Sequence, residues 1–347
     1  MELDNVTKDY ESNQEEAAQM VEKDKRRKET KSAMSHAGIF FFLVMFLEIP
    51  LSAVVLILSG VISADYTVLF SVLVTQVYLL LCGVLYLVIK RKTVRLDEIG
   101  FRKYKLSSFF LSLVALLCAT PMSTWLNLLS QLFAKNEIGN AIFEITQVLP
   151  AWSAIIVIGC LPGFVEELLY RGIMYNAFRK RSVLTGVIVS ALAFGLMHMN
   201  FNQIMYAIYL GVLFAFIVEA TGSLFSTMIL HMLFNAVNTA YLYILPKLYD
   251  FLATYSAEYA DMNLEEMMNQ TPTKQEILTS VIMFTPMAFI GLFLTVLLLR
   301  QIAKLNGREF SIAYICGNKE EVKQTKSWNV PLVLGFIFCI VMAVASL

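Results

Sequence analysis

"GFVEELLYRG", residues 163–172, places Glu166, Glu167 and Arg171 inside an apolar run that extends from about residue 148 to 178. The company these charges keep decides the fold. The chain of 347 residues is 58% hydrophobic and only 16% charged, with a mean hydropathy of +0.66. A soluble domain carries about 25% charged residues. Further apolar runs lie near 38–62, 67–89, 107–133, 182–199, 203–219, 224–245, 277–299 and 328–347. A bilayer is crossed by a helix of about 20 apolar residues. Backbone groups in hydrocarbon must be satisfied within their own segment. The expected fold is therefore all-α, a polytopic transmembrane helix bundle of about eight or nine spans.

The net charge of zero hides a pattern, because the charges sit between the apolar runs. A basic cluster, "KDKRRKETK", ends the polar stretch before the first run, and more basic groups fall at 90–95, at 179–181 and across 300–326. Nine crossings bring these to one side, which the charge bias assigns to the cytoplasm together with the N-terminus. The 246–275 connection carries Asp250, Glu258, Asp261, Glu265 and Glu266 and falls on the other side. The expected organisation is a polar cytoplasmic tail (1–35), N-terminal transmembrane helices (36–145), a core (146–245), then an acidic external loop with the last transmembrane helices (246–347). The expected location is the cell membrane, as a multi-pass protein. Cys82, Cys118, Cys160, Cys316 and Cys339 form no CxxC pair, which argues against a disulfide framework or a cysteine zinc site. No cleavable signal peptide is evident, since the first 35 residues are polar.

An ionisable side chain deep in a membrane costs about 2.5–3.5 kcal/mol on insertion and persists where it pairs or serves a function. Glu167 and Arg171 are four residues apart, share a helix face and can pair. Glu166 points about 100° away, at 3.6 residues per turn, and has no obvious partner on its own helix. An uncompensated carboxylate beside a compensated one is a plausible acid–base design. Pro162 and Gly163 just upstream can kink the helix and admit water. Of the three histidines, His198 closes "FGLMH" and His231 opens "HMLFN", with Asn235 one helical turn further on. At 1.5 Å per residue, Glu166 lies about 18 Å and His198 about 24 Å from the cytoplasmic ends of their helices, and His231 about 10 Å. One intramembrane cavity can hold all three. A lone buried His or Asn is more often an interhelical hydrogen bond than a catalyst. Six such residues on three consecutive helices argue against packing alone.

The arrangement resembles the CAAX-protease and bacteriocin-processing family of intramembrane glutamate endopeptidases. Its EExxxR motif reads Glu166 to Arg171, its FxxxH motif Phe194 to His198, and its HxxxN motif His231 to Asn235. The resemblance covers about 150–240. It implies an intramembrane peptidase in which Glu166 and His198 hold and deprotonate a water. His231 and Asn235 would donate to the oxyanion, and Glu167 and Arg171 would orient the site. Expected partners are membrane lipid and a membrane-associated peptide or protein substrate, a prenylated CAAX-type tail or a peptide precursor among them, and no nucleic acid. No cofactor is expected. There is no HExxH, but glutamate and histidine are also zinc ligands, so a divalent metal would use Glu166, His198 and His231. A non-catalytic immunity, scaffold or transport protein built on the same polar cavity is the alternative, although a transporter would more naturally show inverted repeats.

Other polar residues are assigned lesser roles. Glu48, Gln76, Asn127 and Gln131 are expected to hydrogen-bond between helices or line an access path. Asn200 and Asn202 are expected to support His198 or cap helix ends. Glu219 is expected to be solvated at a helix end, and His36 to lie at the membrane surface.

Overall fold

A computed structural model describes residues 2–255, 272–326 and 328–345. Among them there is no strand. The helices are α1 (Glu2–Ser59), α2 (Thr67–Lys90), α3 (Leu106–Gln131), α4 (Glu137–Val148) and α5, which runs without a break from Ala151 to Arg179. They continue as α6 (Val183–Leu196), α7 (Phe201–Thr221), α8 (Leu224–Ala253), α9 (Lys274–Leu305), α10 (Ile312–Cys316), α11 (Lys319–Lys323) and α12 (Val330–Ala345). Seven of these are long and apolar enough to cross a membrane, and α6 and α12 are shorter apolar helices. The all-α polytopic bundle expected from hydropathy is the observed one.

Three features refine that expectation. The polar stretch before the first apolar run, expected to be flexible or partly helical, is continuous with α1 from Glu2 onward. Residues 137–148, between two spans, form the separate helix α4, capped by Asn136, whose side chain accepts from the Gly139 amide at 3.3 Å. The proposed acidic loop is helical up to Ala253, so Asp250 belongs to α8. Glu258, Asp261, Glu265 and Glu266 lie outside the described residues.

The helix ends follow local chemistry. Ser182 and Asn200 cap α6 and α7 by accepting from the amides of Thr185 and Gln203. Gly222, at φ +72°, closes α7 in the left-handed conformation that costs glycine least. Thr273 and Glu276 form a reciprocal capping box that opens α9.

The basic connections gather on one face. Lys105 Nζ donates to Leu305 O at 2.6 Å, Arg181 Nε to Thr325 O at 2.6 Å, and Asn329 Nδ2 to Met34 O at 3.0 Å. The backbone amide of Leu224 donates to Gly100 O at 2.7 Å. Glu219 corrects the expectation of a solvated side chain, being only 1% exposed. Its carboxylate accepts from Arg179 Nη2 at 2.9 Å and Nε at 3.0 Å, from Tyr314 Oη at 2.6 Å, from Arg308 Nη2 at 3.3 Å, and from Tyr175 Oη. A buried carboxylate needs such partners. These join α5, α7 and the segment that follows α9 on this face.

Candidate active site

The site starts from two glycines. Gly159 and Gly163 lie one turn apart on α5, in "GCLPG". A Cβ on Gly163 would lie 2.7 Å from Met232 N, and one on Gly159 would lie 3.1 Å from Ala236 N. The two backbones therefore meet where α8 carries His231 and Asn235, the small-residue packing that membrane helices favour. α5 is wound as a π-helix over Ile155–Cys160 and Leu168–Tyr175, on either side of the α-helical turns that carry Glu166 and Glu167. Pro162 lies inside the continuous helix α5, where its missing N–H removes a backbone donor and disturbs regular α winding. The irregularity expected from Pro162 and Gly163 thus takes the form of changed helical winding.

Glu167 lies behind the site. Its Oε1 is 2.8 Å from Arg171 Nη1, and both side chains are fully buried. The same oxygen accepts from His231 Nδ1 at 3.0 Å. The Glu167–Arg171 pairing read from the spacing is present, and His231 joins it. With Nδ1–H held by the carboxylate, Nε2 is the ring atom left facing Glu166, 3.9 Å from its Oε2. That distance is too long for a direct hydrogen bond and spans the gap that one water bridges.

Phe194 explains the FxxxH spacing. Its carbonyl accepts from His198 Nδ1 at 2.9 Å, one helical turn on. A carbonyl can only accept, so Nδ1 carries the hydrogen and Nε2 is free. The Phe194 ring also lies 4.2 Å below Arg171 Cζ and meets the rings of His198 and His231 edge-on at 5.3 and 5.7 Å. One aromatic side chain therefore braces the cation and both imidazoles.

α6 is only 14 residues long, about 21 Å, against a hydrocarbon core of about 30 Å. The turn that carries His198 thus falls at membrane depth, where irregular backbone persists only beside protein or a cavity. Met199 makes this turn with φ +47°, the only positive φ outside glycine among the described residues.

Glu166, His198, His231 and Asn235 line a single cavity of about 730 Å³. Glu167 and Arg171 are not among its lining residues. Glu166 has a partner that its own helix did not reveal, since Gln76 Nε2 on α2 donates to its Oε1 at 3.3 Å. Glu48 and Asn127, assigned lesser roles above, also line the cavity. Asn127 and Asn202 hydrogen-bond each other across α3 and α7 at 3.3 Å, and Gln131 bonds Asn127 at 2.7 Å. Asn202 supports packing in this way rather than touching His198, while Asn200 caps a helix as expected. His36 is exposed and bonds only Ser32 within its own turn. Among the described residues no three His, Cys, Asp or Glu side chains are grouped as a metal ligand set. Glu166, His198 and His231 share the cavity without converging in that way.

In this all-α membrane bundle α5, α8 and the turn after α6 bring two histidines, a glutamate and an asparagine to one cavity. Residues 148–237 match the family described as type II CAAX prenyl endopeptidase Rce1-like. That segment contains all three motifs, and the match is consistent with the CAAX-protease and bacteriocin-processing family. No curated protein and no solved structure matches the chain.

Proposed function

We propose that this protein is an intramembrane endopeptidase of the cell membrane that hydrolyses a peptide bond in a membrane-associated substrate. The observation that carries the reading is the shared cavity, which Glu166, His198 and His231 all line, with His231 Nε2 3.9 Å from Glu166 Oε2. Glu166 takes a proton from a water held against His198 Nε2, and the water oxygen adds to the substrate carbonyl carbon. Asn235 Nδ2 donates to the oxyanion, a contribution commonly worth about 3 kcal/mol. As the C–N bond breaks, the proton on Glu166 passes to the departing amine nitrogen. Glu167 holds His231 in one tautomer, and Arg171 holds Glu167. His231 Nε2 donates to the oxyanion only when the ring is protonated, so Asn235 is the donor present in every state.

The test is cleavage of fluorogenic lipidated and unlipidated membrane peptides by the purified protein in detergent, with Glu166→Ala and His198→Ala alongside. Turnover by the wild type that both variants lose, and that survives a chelator, supports the reading. No turnover in any of the three would favour the non-catalytic alternative.

A further inference from the structure

Helix α2 lies outside the segment matched to the family, and it buries a single stripe. Gln76, Leu79 and Gly83, spaced i, i+3 and i+7, are its buried residues, while Val77, Leu81, Val84 and Leu85 are exposed. A Cβ on Gly83 would lie 2.8 Å from Leu169 Cδ1, so α2 packs closely on α5 just beyond Glu166. Tyr78 Oη donates to Val44 O at 2.7 Å and ties α2 to α1. The stripe brings the Gln76 amide to Glu166, and among the described residues no other side chain hydrogen-bonds that carboxylate. A carboxylate only accepts, so the amide presents Nε2 to Oε1. The arrangement has a cost in the same side chain. Gln76 is 7% exposed, and its Oε1 is a buried acceptor without a partner, which is rare and calls for an explanation. An apolar side chain of the same length would complete the stripe without that cost.

We propose that Gln76 is a positioning residue for Glu166: its amide occupies Oε1 and so leaves Oε2, 3.9 Å from His231 Nε2, as the oxygen that takes the proton from water. The proposal rests on the endopeptidase reading for the reaction, and on the docking of α2 against α5 for its geometry. A carboxylate held through one oxygen does not turn freely about its last bond. A general base works only while it stays within reach of the proton it removes. Gln76 thus acts through Glu166, and the helix that carries it belongs to the catalytic apparatus although the family match does not reach it.

Gln76→Met keeps the length of the side chain and removes both the amide donor and the unpartnered acceptor. With the purified protein and a fluorogenic membrane peptide, kcat is expected to fall on the order of 10- to 100-fold while KM stays unchanged, the mark of an interaction that serves the chemical step. The melting temperature in detergent is expected to stay level or rise. A residue that only packs α2 onto α5 gives the opposite pattern. A lower melting temperature with kcat per folded molecule intact would therefore overturn the proposal. Melting temperatures of Gln76→Met, Glu166→Met and the double variant form a cycle that needs no turnover. Non-additive shifts, where the wild type cleaves nothing, keep the hold of Gln76 on Glu166 and remove the peptidase. Additive shifts, with cleavage by the wild type, overturn the hold and leave the peptidase standing.

Discussion

His231 Nδ1 lies 3.0 Å from Glu167 Oε1, the oxygen that also lies 2.8 Å from Arg171 Nη1. Two adjacent glutamates therefore take separate work, because consecutive helical side chains diverge by about 100° at 3.6 residues per turn. Glu167 is spent on fixing a cation and an imidazole, and Glu166 is turned into the cavity.

The first prediction follows from that division. Glu167→Gln leaves the fully buried Arg171 without its counter-charge. Removing one partner of a buried ion pair costs about 3–5 kcal/mol. Thermal denaturation in detergent should show a strongly destabilised Glu167→Gln protein. Glu166→Gln should keep the wild-type melting temperature and lose turnover. Equal destabilisation by both substitutions would contradict the split.

Gly163 yields a second prediction that involves no ionisable group. In Gly163→Ala the new Cβ meets Met232 N at 2.7 Å, so α5 and α8 must separate. That displaces His231 and Asn235 from Glu166, and misplacement of this kind can cost on the order of 100-fold in rate. Gly159→Ala meets its neighbours at 3.1–3.2 Å and should do less harm. The check is kcat for the two variants at matched folded fraction, and the reverse order would count against helix approach as the cause.

The sequence exposed some of this and hid the rest for physical reasons. Apolar run length located the spans, since a bilayer imposes a length on any helix that crosses it. The i, i+4 spacing of Glu167 and Arg171 exposed their pairing, because one helix suffices to read it. Gln76 meets Glu166 across 90 residues of chain, and no local periodicity reports such a contact. Glu219 looked solvated because Arg308 and Tyr314, two of its partners, lie about 90 residues downstream. The "GCLPG" spacing was a readable signal of close helix approach, and it carries the position of α8. Helix α4 escaped because hydropathy seeks spans, and its 12 residues are too short to be one.

Glu219 supports a third prediction. It is the common acceptor for Arg179, Arg308, Tyr175 and Tyr314, at the end of the bundle where the basic connections gather. Glu219→Gln removes the charge from these bonds, and a hydrogen bond to a charged group contributes roughly 1.5–3 kcal/mol. Arg179 and Arg308 are about one-third exposed, so water recovers part of that loss. The expected outcome is a lower melting temperature with undiminished turnover per folded molecule. A loss of turnover with no change in stability would place Glu219 in the chemistry instead.

The side from which substrate enters can also be tested. The cavity lining runs from Glu166 to Ser71 near the start of α2, to exposed Asn136 at the start of α4, and to exposed Asn238 on α8. These positions lie toward the end of the bundle away from Lys105, Arg181 and Arg308. If basic loops mark the cytoplasmic side, the cavity opens toward the opposite compartment. Cys316 is exposed on the basic face and serves as a built-in reporter, and Lys135→Cys supplies one beside α4. In intact cells a membrane-impermeant maleimide should label Lys135→Cys and reach Cys316 only after permeabilisation. Substrates would then be peptides presented at the outer leaflet. Labelling of Cys316 in intact cells, with Lys135→Cys protected, would turn the cavity toward the cytoplasm and favour cytoplasmic prenylated tails instead.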